Sequence, residues 1–248
     1  MGILDWFRSG EGGGSGHERD PDREVTPGGS VVYHYGRDSS GPQPGDLSEE
    51  QIAEYRAQRE AAYRELFGEP ASIYREVVSL TPRIDIYVYP AGQAGRDFTT
   101  LITGGMSDLP MTVPAAVGAE ARRAELVLYV AEPNRDYASM LRFLAHFPHD
   151  NKTWFGHGHT MPNGQPPAPL FPDSDLDTFL LRTPSRESDA ALRSRLVLSG
   201  DPVNLIWVTP ITTAECQFKL DHGADALIKR IDRQNYPIIL DECRRSAV

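Results

Sequence analysis

The 248-residue chain is poor in cysteine and in long apolar stretches. Cys216 and Cys243 form no C-x-x-C pair and are too few for a disulfide framework. No apolar run approaches the roughly 18 residues that span a bilayer. Residues 1–8 lack the apolar core of a secretory signal, because Asp5 interrupts their short apolar stretch. We therefore expect a cytoplasmic protein that has no membrane segment.

Positive charge is also scarce. Lys and Arg total 25 against 35 Asp and Glu, which gives a net charge of −10. Such an acidic chain repels phosphate backbones, so we expect no nucleic-acid partner. The glycine run at 12–14 follows no predicted strand and is not a phosphate-binding loop. No cofactor is expected.

Composition divides the chain at residue 46. Residues 1–46 are predicted to be a flexible polar segment, with a glycine-rich linker at 9–16 and one candidate strand at 31–35. Residues 1–8 carry an apolar group that is either a frayed terminus or a docking peptide for the same chain or a partner. Residues 47–248 are predicted to be a single domain.

Apolar periodicity predicts an α+β domain, with helices packed on a mixed, mainly antiparallel β-sheet. A helix over 48–67 begins with a capping box, Ser48 and Gln51. Strands 83–89 and 98–103 form a hairpin. A strand over 124–130 is apolar on both faces apart from Glu125 and is therefore central.

Helix and strand signals continue in the second half. A helix over 136–147 is expected to end at Pro148, and residues 153–160 are expected to form a short strand. Strands follow at 179–181 and 203–208. Thr212 and Glu215 form a second capping box, which begins a helix interrupted near Gly223 and resumed over 224–233. Residues 237–240 are a strand or an extended segment.

Two groups of residues raise the question of catalysis. Four histidines lie between His146 and His159 together with Asp150, and imidazole with carboxylate can bind zinc. The alternative is a polar helix end where histidine complements the helix dipole, and we favour it. Ser107 follows Gly105 as in half of a nucleophile elbow, but the closing glycine is absent. A turn whose polar side chains bind local backbone is the favoured interpretation, and no metal is expected.

The segment Leu-Ile-Thr-Gly-Gly-Met-Ser-Asp-Leu-Pro at 101–110 resembles the suppressor of fused domain family. Further segments resemble the family in the same order and spacing. They are residues 123–128, 143–154, 156–160, 203–211, 218–227 and 240–245. The chain is identified from this colinear set as a suppressor of fused-like protein, and a bacterial source is plausible from its length and its arginine bias.

The resemblance implies a non-catalytic role. The animal member is a cytoplasmic negative regulator of Hedgehog signalling that binds a strand-forming peptide, and bacterial members have been proposed as immunity proteins. The chain ends near Arg245, so we expect that it lacks the animal protein's C-terminal domain. The loop after Leu109 also departs from the animal sequence.

We therefore predict a regulatory module that binds a protein partner or peptide strand, of immunity type in one interpretation. The alternative is a hydrolase using Ser107 or a His/Asp metal site. The candidate partner surface combines the glycine turn with the histidine-rich segment. Its residues are Gly104, Gly105, Ser107, Asp108, His149, Asp150, Asn151, His157 and His159.

Overall fold

The computed structural model describes residues 5–9, 24–34, 47–77 and 80–248. In chain order the strands are β1 (Asp5–Ser9), β2 (Glu24–Val25), β3 (Ser30–His34), β4 (Ser72–Tyr74), β5 (Asp85–Tyr89), β6 (Thr99–Gly104), β7 (Arg123–Val130), β8 (His159–Pro162), β9 (Leu176–Arg182), β10 (Val197–Leu198) and β11 (Asp201–Thr212). The α-helices are α1 (Glu49–Phe67), α2 (Arg135–Asp150), α3 (Glu187–Ala190), α4 (Leu192–Arg195), α5 (Thr213–His222) and α6 (Ala224–Arg233). None of these helices is long and apolar enough to cross a membrane.

The chain forms two compact units. Among the described residues, the first unit comprises 47–77, 80–156 and 183–207, and the second comprises 5–9, 24–34, 157–182 and 208–248.

The first unit contains a mixed sheet. Its strand order is β4-β5-β6-β7, followed by residues 201–207 of β11 and then β10. β7 and β11 run parallel, with Val203 opposite Arg123. The other neighbours are antiparallel, including the predicted β5–β6 hairpin. With its packed helices, the sheet confirms the predicted fold class.

Helix α1 packs its aromatic side chains on this sheet. Its predicted capping box is present, since the Gln51 N–H donates to Ser48 Oγ at 3.2 Å and the Ser48 N–H donates to Gln51 Oε1 at 3.1 Å. Tyr63 is fully buried, and its ring lies 5.7 Å from that of Tyr87. Its hydroxyl donates to Thr103 O at 2.7 Å and so holds α1 against β6.

The second unit has the strand order β2-β3-β1-β8-β9 with antiparallel neighbours. β3 corresponds to the strand predicted at 31–35. Residues 10–23 and 35–46 lie outside the described residues, so the domain boundary at residue 46 stays a prediction. Helix α5 begins at the predicted capping box, and α6 follows the predicted break at Gly223. Residues 237–240 form no strand.

Two predicted boundaries are wrong. Helix α2 continues through Pro148 to Asp150, because the Asn151 N–H donates to Phe147 O at 3.0 Å and completes the last turn. The strand predicted at 153–160 begins only at His159, after a turn at His157 and Gly158 in which Gly158 has φ 80°. His157 and His159 therefore do not lie on one strand face.

Candidate binding site

The glycine turn follows β6 directly and is buried. Gly105 has φ 122°, and a Cβ there would overlap the carbonyl oxygen of Arg83, so the position requires glycine. Gly104 is the last residue of β6. Residues Met106–Asp108 form a short 3₁₀ turn in which Ser107 is 0% and Asp108 5% exposed.

Glu125 organises this turn from the neighbouring strand β7. Its fully buried carboxylate accepts hydrogen bonds from Thr103 Oγ1 at 2.6 Å and from Ser107 Oγ at 2.6 Å. It also accepts from the backbone N–H groups of Gly105 at 3.0 Å and Ser107 at 3.1 Å. The Ser107 hydroxyl therefore donates to a carboxylate and not to an imidazole, which is the base in a Ser-His-Asp triad.

Two arginines bind the last two residues of the turn, Ser107 and Asp108. Arg59, from α1, forms a buried ion pair with Asp108. Arg123 donates to Ser107 O at 2.7 Å and to Asp108 O at 2.8 Å. Burial raises the pKa of Asp108, although the Arg59 guanidinium opposes that rise. The Ser107 and Asp108 side chains thus bind neighbouring parts of the first unit and stabilise the turn. This agrees with the interpretation of the glycine turn as a structural element.

The end of α2 lies on this turn. His149 Nε2 is 3.0 Å from Met106 O, and burial lowers the pKa of His149 to about 4. The ring is therefore neutral near pH 7, and Nε2 carries the proton that it donates to the carbonyl. Asp150 is exposed, and partial burial raises its pKa. Asn151 ends the helix, and its Nδ2 donates to Phe147 O at 3.0 Å.

His146 has a different partner. Its Nε2 lies 2.8 Å from Glu76 Oε1, while Glu76 Oε2 accepts from the Ile84 N–H at 2.8 Å. His146 and His149 therefore bind separate parts of the first unit. In the described part of the chain, no group of three or more His, Cys, Asp or Glu side chains is arranged to hold a metal ion.

The remaining two candidates belong to the second unit. His157 is exposed, and its pKa is lowered by partial burial and by Arg182. His159 is buried in β8, where it is paired with Leu181 of β9.

Sequence reasoning missed Arg59, Arg123 and Glu125 as parts of the site. One signal was present for Glu125, since it is the charged residue within an otherwise apolar central strand. A carboxylate in that position needs buried hydrogen-bond donors. The arginines come from positions 49 and 15 residues from Asp108, which no local pattern connects.

Together, a mixed sheet, its helices and a turn closed around a buried glutamate define an α+β scaffold domain. The family model described as Suppressor of fused protein (SUFU) matches residues 81–245, about two thirds of the chain. The chain therefore belongs to the suppressor of fused protein family, as the sequence resemblance predicted.

Solved structures agree on the fold. A suppressor of fused homologue from Neisseria gonorrhoeae is 15% identical, with a TM-score of 0.60 over 79% of this chain and 98% of that chain. A Sufu–Fu complex structure is 10% identical, with a TM-score of 0.56 over 78% of this chain and 92% of that one. Drosophila Suppressor of Fused is 10% identical, with a TM-score of 0.53 over 82% of this chain and 54% of that one. No curated protein sequence matches significantly.

Proposed function

We propose that the chain is a non-catalytic regulatory module that binds a protein partner, and that the end of α2 forms part of the contact surface. The observation that carries the proposal is the position of Asp150. This exposed acid lies at the end of a helix whose His149 is bonded to a turn held by Glu125. An exposed polar group on a rigid support suits recognition of another protein.

The family and the acidity of the chain also support this proposal. One similar solved structure is a Sufu–Fu complex. A net charge of −10 favours a basic partner, because complementary charge speeds association and rejects wrong partners. An immunity-type role, in which the chain neutralises a basic protein, is the specific form that we propose. His157, an exposed residue of the second unit, is a separate candidate contact.

The test begins with affinity capture of the partner from the source cells and continues with titration calorimetry of the purified pair. Asp150→Ala should weaken binding by about 1–3 kcal/mol, the range for a charged hydrogen bond, while the melting temperature stays unchanged. Asp108→Ala should instead lower the melting temperature, because Arg59 would remain buried and unpaired. Glu132→Ala, an exposed acid just before α2, is the matched control and should bind normally.

Normal binding by a folded Asp150→Ala variant would place the partner elsewhere. The alternative of a metal-dependent hydrolase is tested separately by elemental analysis of the purified chain. Near-stoichiometric zinc, lost in both His157→Ala and His159→Ala, would support that alternative.

A further inference from the structure

A cavity of about 210 Å³ lies beside helix α5 in the second unit. One face of α5 lines it, through Thr213, Cys216, Gln217 and Leu220. The loop after β8 lines it as well, and the exposed side chains of Gln165 and Gln217 mark its opening. Since an apolar cavity of about 150 Å³ holds benzene, this cavity has room for one small ring compound.

Hydrogen-bonded backbone supports the cavity. Its floor contains Pro162 of β8 and Thr178 of β9, which lie opposite each other in the sheet. The loop after β8 is closed by Asn163, whose N–H donates to Asp177 O at 2.7 Å and whose Nδ2 donates to Ala168 O at 2.9 Å. The walls are therefore formed before any ligand binds, as is usual for small-molecule sites.

Three polar side chains meet where α5 contacts β8. Cys216 is a free thiol, and its side chain is hydrogen-bonded to Thr160. Thr160 Oγ1 also accepts from Lys219 Nζ at 3.3 Å, and both of these side chains are fully buried. Thr160 lies two positions before Pro162 and therefore on the same face of β8 as the cavity floor. Because a hydroxyl both donates and accepts, Thr160 can carry a proton between the thiol and the amine.

The environment of these groups makes Lys219 a base for the thiol. Burial lowers the pKa of Lys219 to about 8, so a large share of the amine is neutral at that pH and can accept a proton. Burial raises the pKa of Cys216 to about 11, and the Asp177 carboxylate adds to the rise. Because the thiolate is the nucleophile, Cys216 reacts near pH 8 only where a base removes its proton. Lys219 is placed to do so through Thr160.

We propose that this cavity binds small uncharged compounds in which a carbon–carbon double bond is conjugated to a carbonyl, and that Cys216 adds to them. Apolar wall residues such as Pro167 and Leu220 favour an uncharged compound. The sulfur–carbon bond forms as the π pair of the double bond moves toward the carbonyl. The thiol proton passes through Thr160 to Lys219, and the Lys219 ammonium returns a proton to the carbon beside the carbonyl. The product is a thioether, and no oxidant or reductant is consumed. This inference is independent of the contact surface proposed at the end of α2.

The test uses two maleimides that share a reactive group and differ in size, N-ethylmaleimide and a maleimide joined to a long polyethylene glycol chain. Peptide mass spectrometry measures the rate at each cysteine of the folded full chain, and the exposed Cys243 is the internal control. Cys216 should react with N-ethylmaleimide at least about 100-fold faster than with the polymer, because labelling through unfolding would admit both reagents. At Cys243 the two rates should differ by less than about 10-fold. Equal rates at Cys216, or no labelling of Cys216 in the folded chain, would overturn the proposal.

Lys219→Met tests the base. At pH 8 the rate of N-ethylmaleimide at Cys216 should fall at least about 10-fold, while the rate at Cys243 stays the same. The pH profile separates a base from a structural role. In the native chain the Cys216 rate should level off above about pH 8, where Lys219 is neutral, whereas in the variant it should continue to rise. An unchanged rate, or a lower rate with the native profile, would overturn the role of Lys219.

A pair of variants at the cavity opening tests the binding site itself. Gln217 is exposed, so neither Gln217→Trp nor Gln217→Ala should change the melting temperature. Gln217→Trp should slow the reaction of N-ethylmaleimide at Cys216, because the indole ring fills the opening. Gln217→Ala is the matched control and should keep the native rate. Equal rates at Cys216 in the two variants would mean that the reagent arrives by another path, which would overturn the assignment of the cavity.

Discussion

Each of the two units is organised around a fully buried glutamate, but the two carboxylates have different partners. Glu125 in the first unit accepts hydrogen bonds from neutral donors, namely two hydroxyls and two backbone N–H groups. Glu215 in the second unit accepts a bidentate pair of hydrogen bonds from the Arg244 guanidinium, and both nitrogen–oxygen distances are 2.7 Å. It also accepts from the N–H groups of Thr212 at 2.8 Å and Ala247 at 2.9 Å.

The difference shows two ways to use a buried carboxylate. Glu125 closes one turn, and its donors all lie within residues 103–107, at the end of β6 and in the turn that follows it. Glu215 joins a helix cap to the chain's last residues, since Arg244 is 29 positions away. Arg244 also donates to Pro210 O at 2.8 Å, which fastens the same tail to β11. The first arrangement is a closed local unit, and the second depends on one long-range arginine.

The largest effect is expected from Glu125→Ala. It leaves four buried donors without their acceptor, and each lost acceptor costs about 1–3 kcal/mol. After partial relaxation we expect a loss of about 4 kcal/mol in the free energy of unfolding, measured by urea denaturation. Glu125→Gln keeps one acceptor oxygen and should lose less. The exposed control Glu132→Ala should change stability by less than about 0.5 kcal/mol.

A smaller and more local effect is expected from Arg244→Ala. Removing one partner of a buried ion pair costs about 3 kcal/mol. Because the loss releases the tail, the Ala247 amide should exchange hydrogen much faster, while amides of β5 and β6 keep their protection. Arg244→Lys keeps the charge but lacks the planar fork, so it should fall between Arg244→Ala and the native chain. Uniform loss of protection in both units would show that the tail is not a separate element.

Sequence reasoning predicted the parts of these arrangements that are local. The capping boxes at Ser48 and Thr212 depend on residues three positions apart, and both are present. The same reasoning did not identify Arg244 as the partner of Glu215, because the pairing depends on how the tail returns to α5. The prediction that the helix ends at Pro148 was wrong for a different reason. A proline near a helix end removes only one backbone donor, and the residues after it complete the last turn.

Each unit also contains a buried basic side chain, Lys219 in the second unit and His149 in the first. The two affect the stability of the chain in different pH ranges. Lys219 of α5 is fully buried and forms no ion pair with a carboxylate whose position the structure describes. Burial lowers its pKa from 10.5 to about 8. Since the unfolded chain holds this proton more tightly, the contribution of Lys219 to stability should rise as pH increases from about 8 to about 10.5. Burial raises the pKa of Cys216 to about 11, so the thiol contributes the opposite slope above about pH 9.

Lys219→Met should remove this rise and increase stability at pH 7 by about 2 kcal/mol, because no buried charge remains. Thermal denaturation between pH 7 and 10.5 provides the measurement. Lys229→Met, an exposed lysine on α6, is the control and should leave the pH profile unchanged. A native-like alkaline rise in Lys219→Met would assign it to another group.

The smallest effect concerns His149, the buried base of the first unit. Burial lowers the pKa of His149 from 6.5 to about 4, so the unfolded chain binds the proton more tightly. The stability contributed by the neutral ring is complete above about pH 6.5 and is lost as pH falls toward 4.

In His149→Gln, the amide can still donate to Met106 O but does not titrate in this range. Stability at pH 7 should therefore change by less than about 1 kcal/mol, and the acid slope between pH 6.5 and 4 should become shallower. His222→Gln, at an exposed position of α5, should retain the native slope. An unchanged slope in His149→Gln would mean that the pKa of this ring does not differ between the folded and the unfolded chain, which would contradict its burial as a neutral donor to Met106 O.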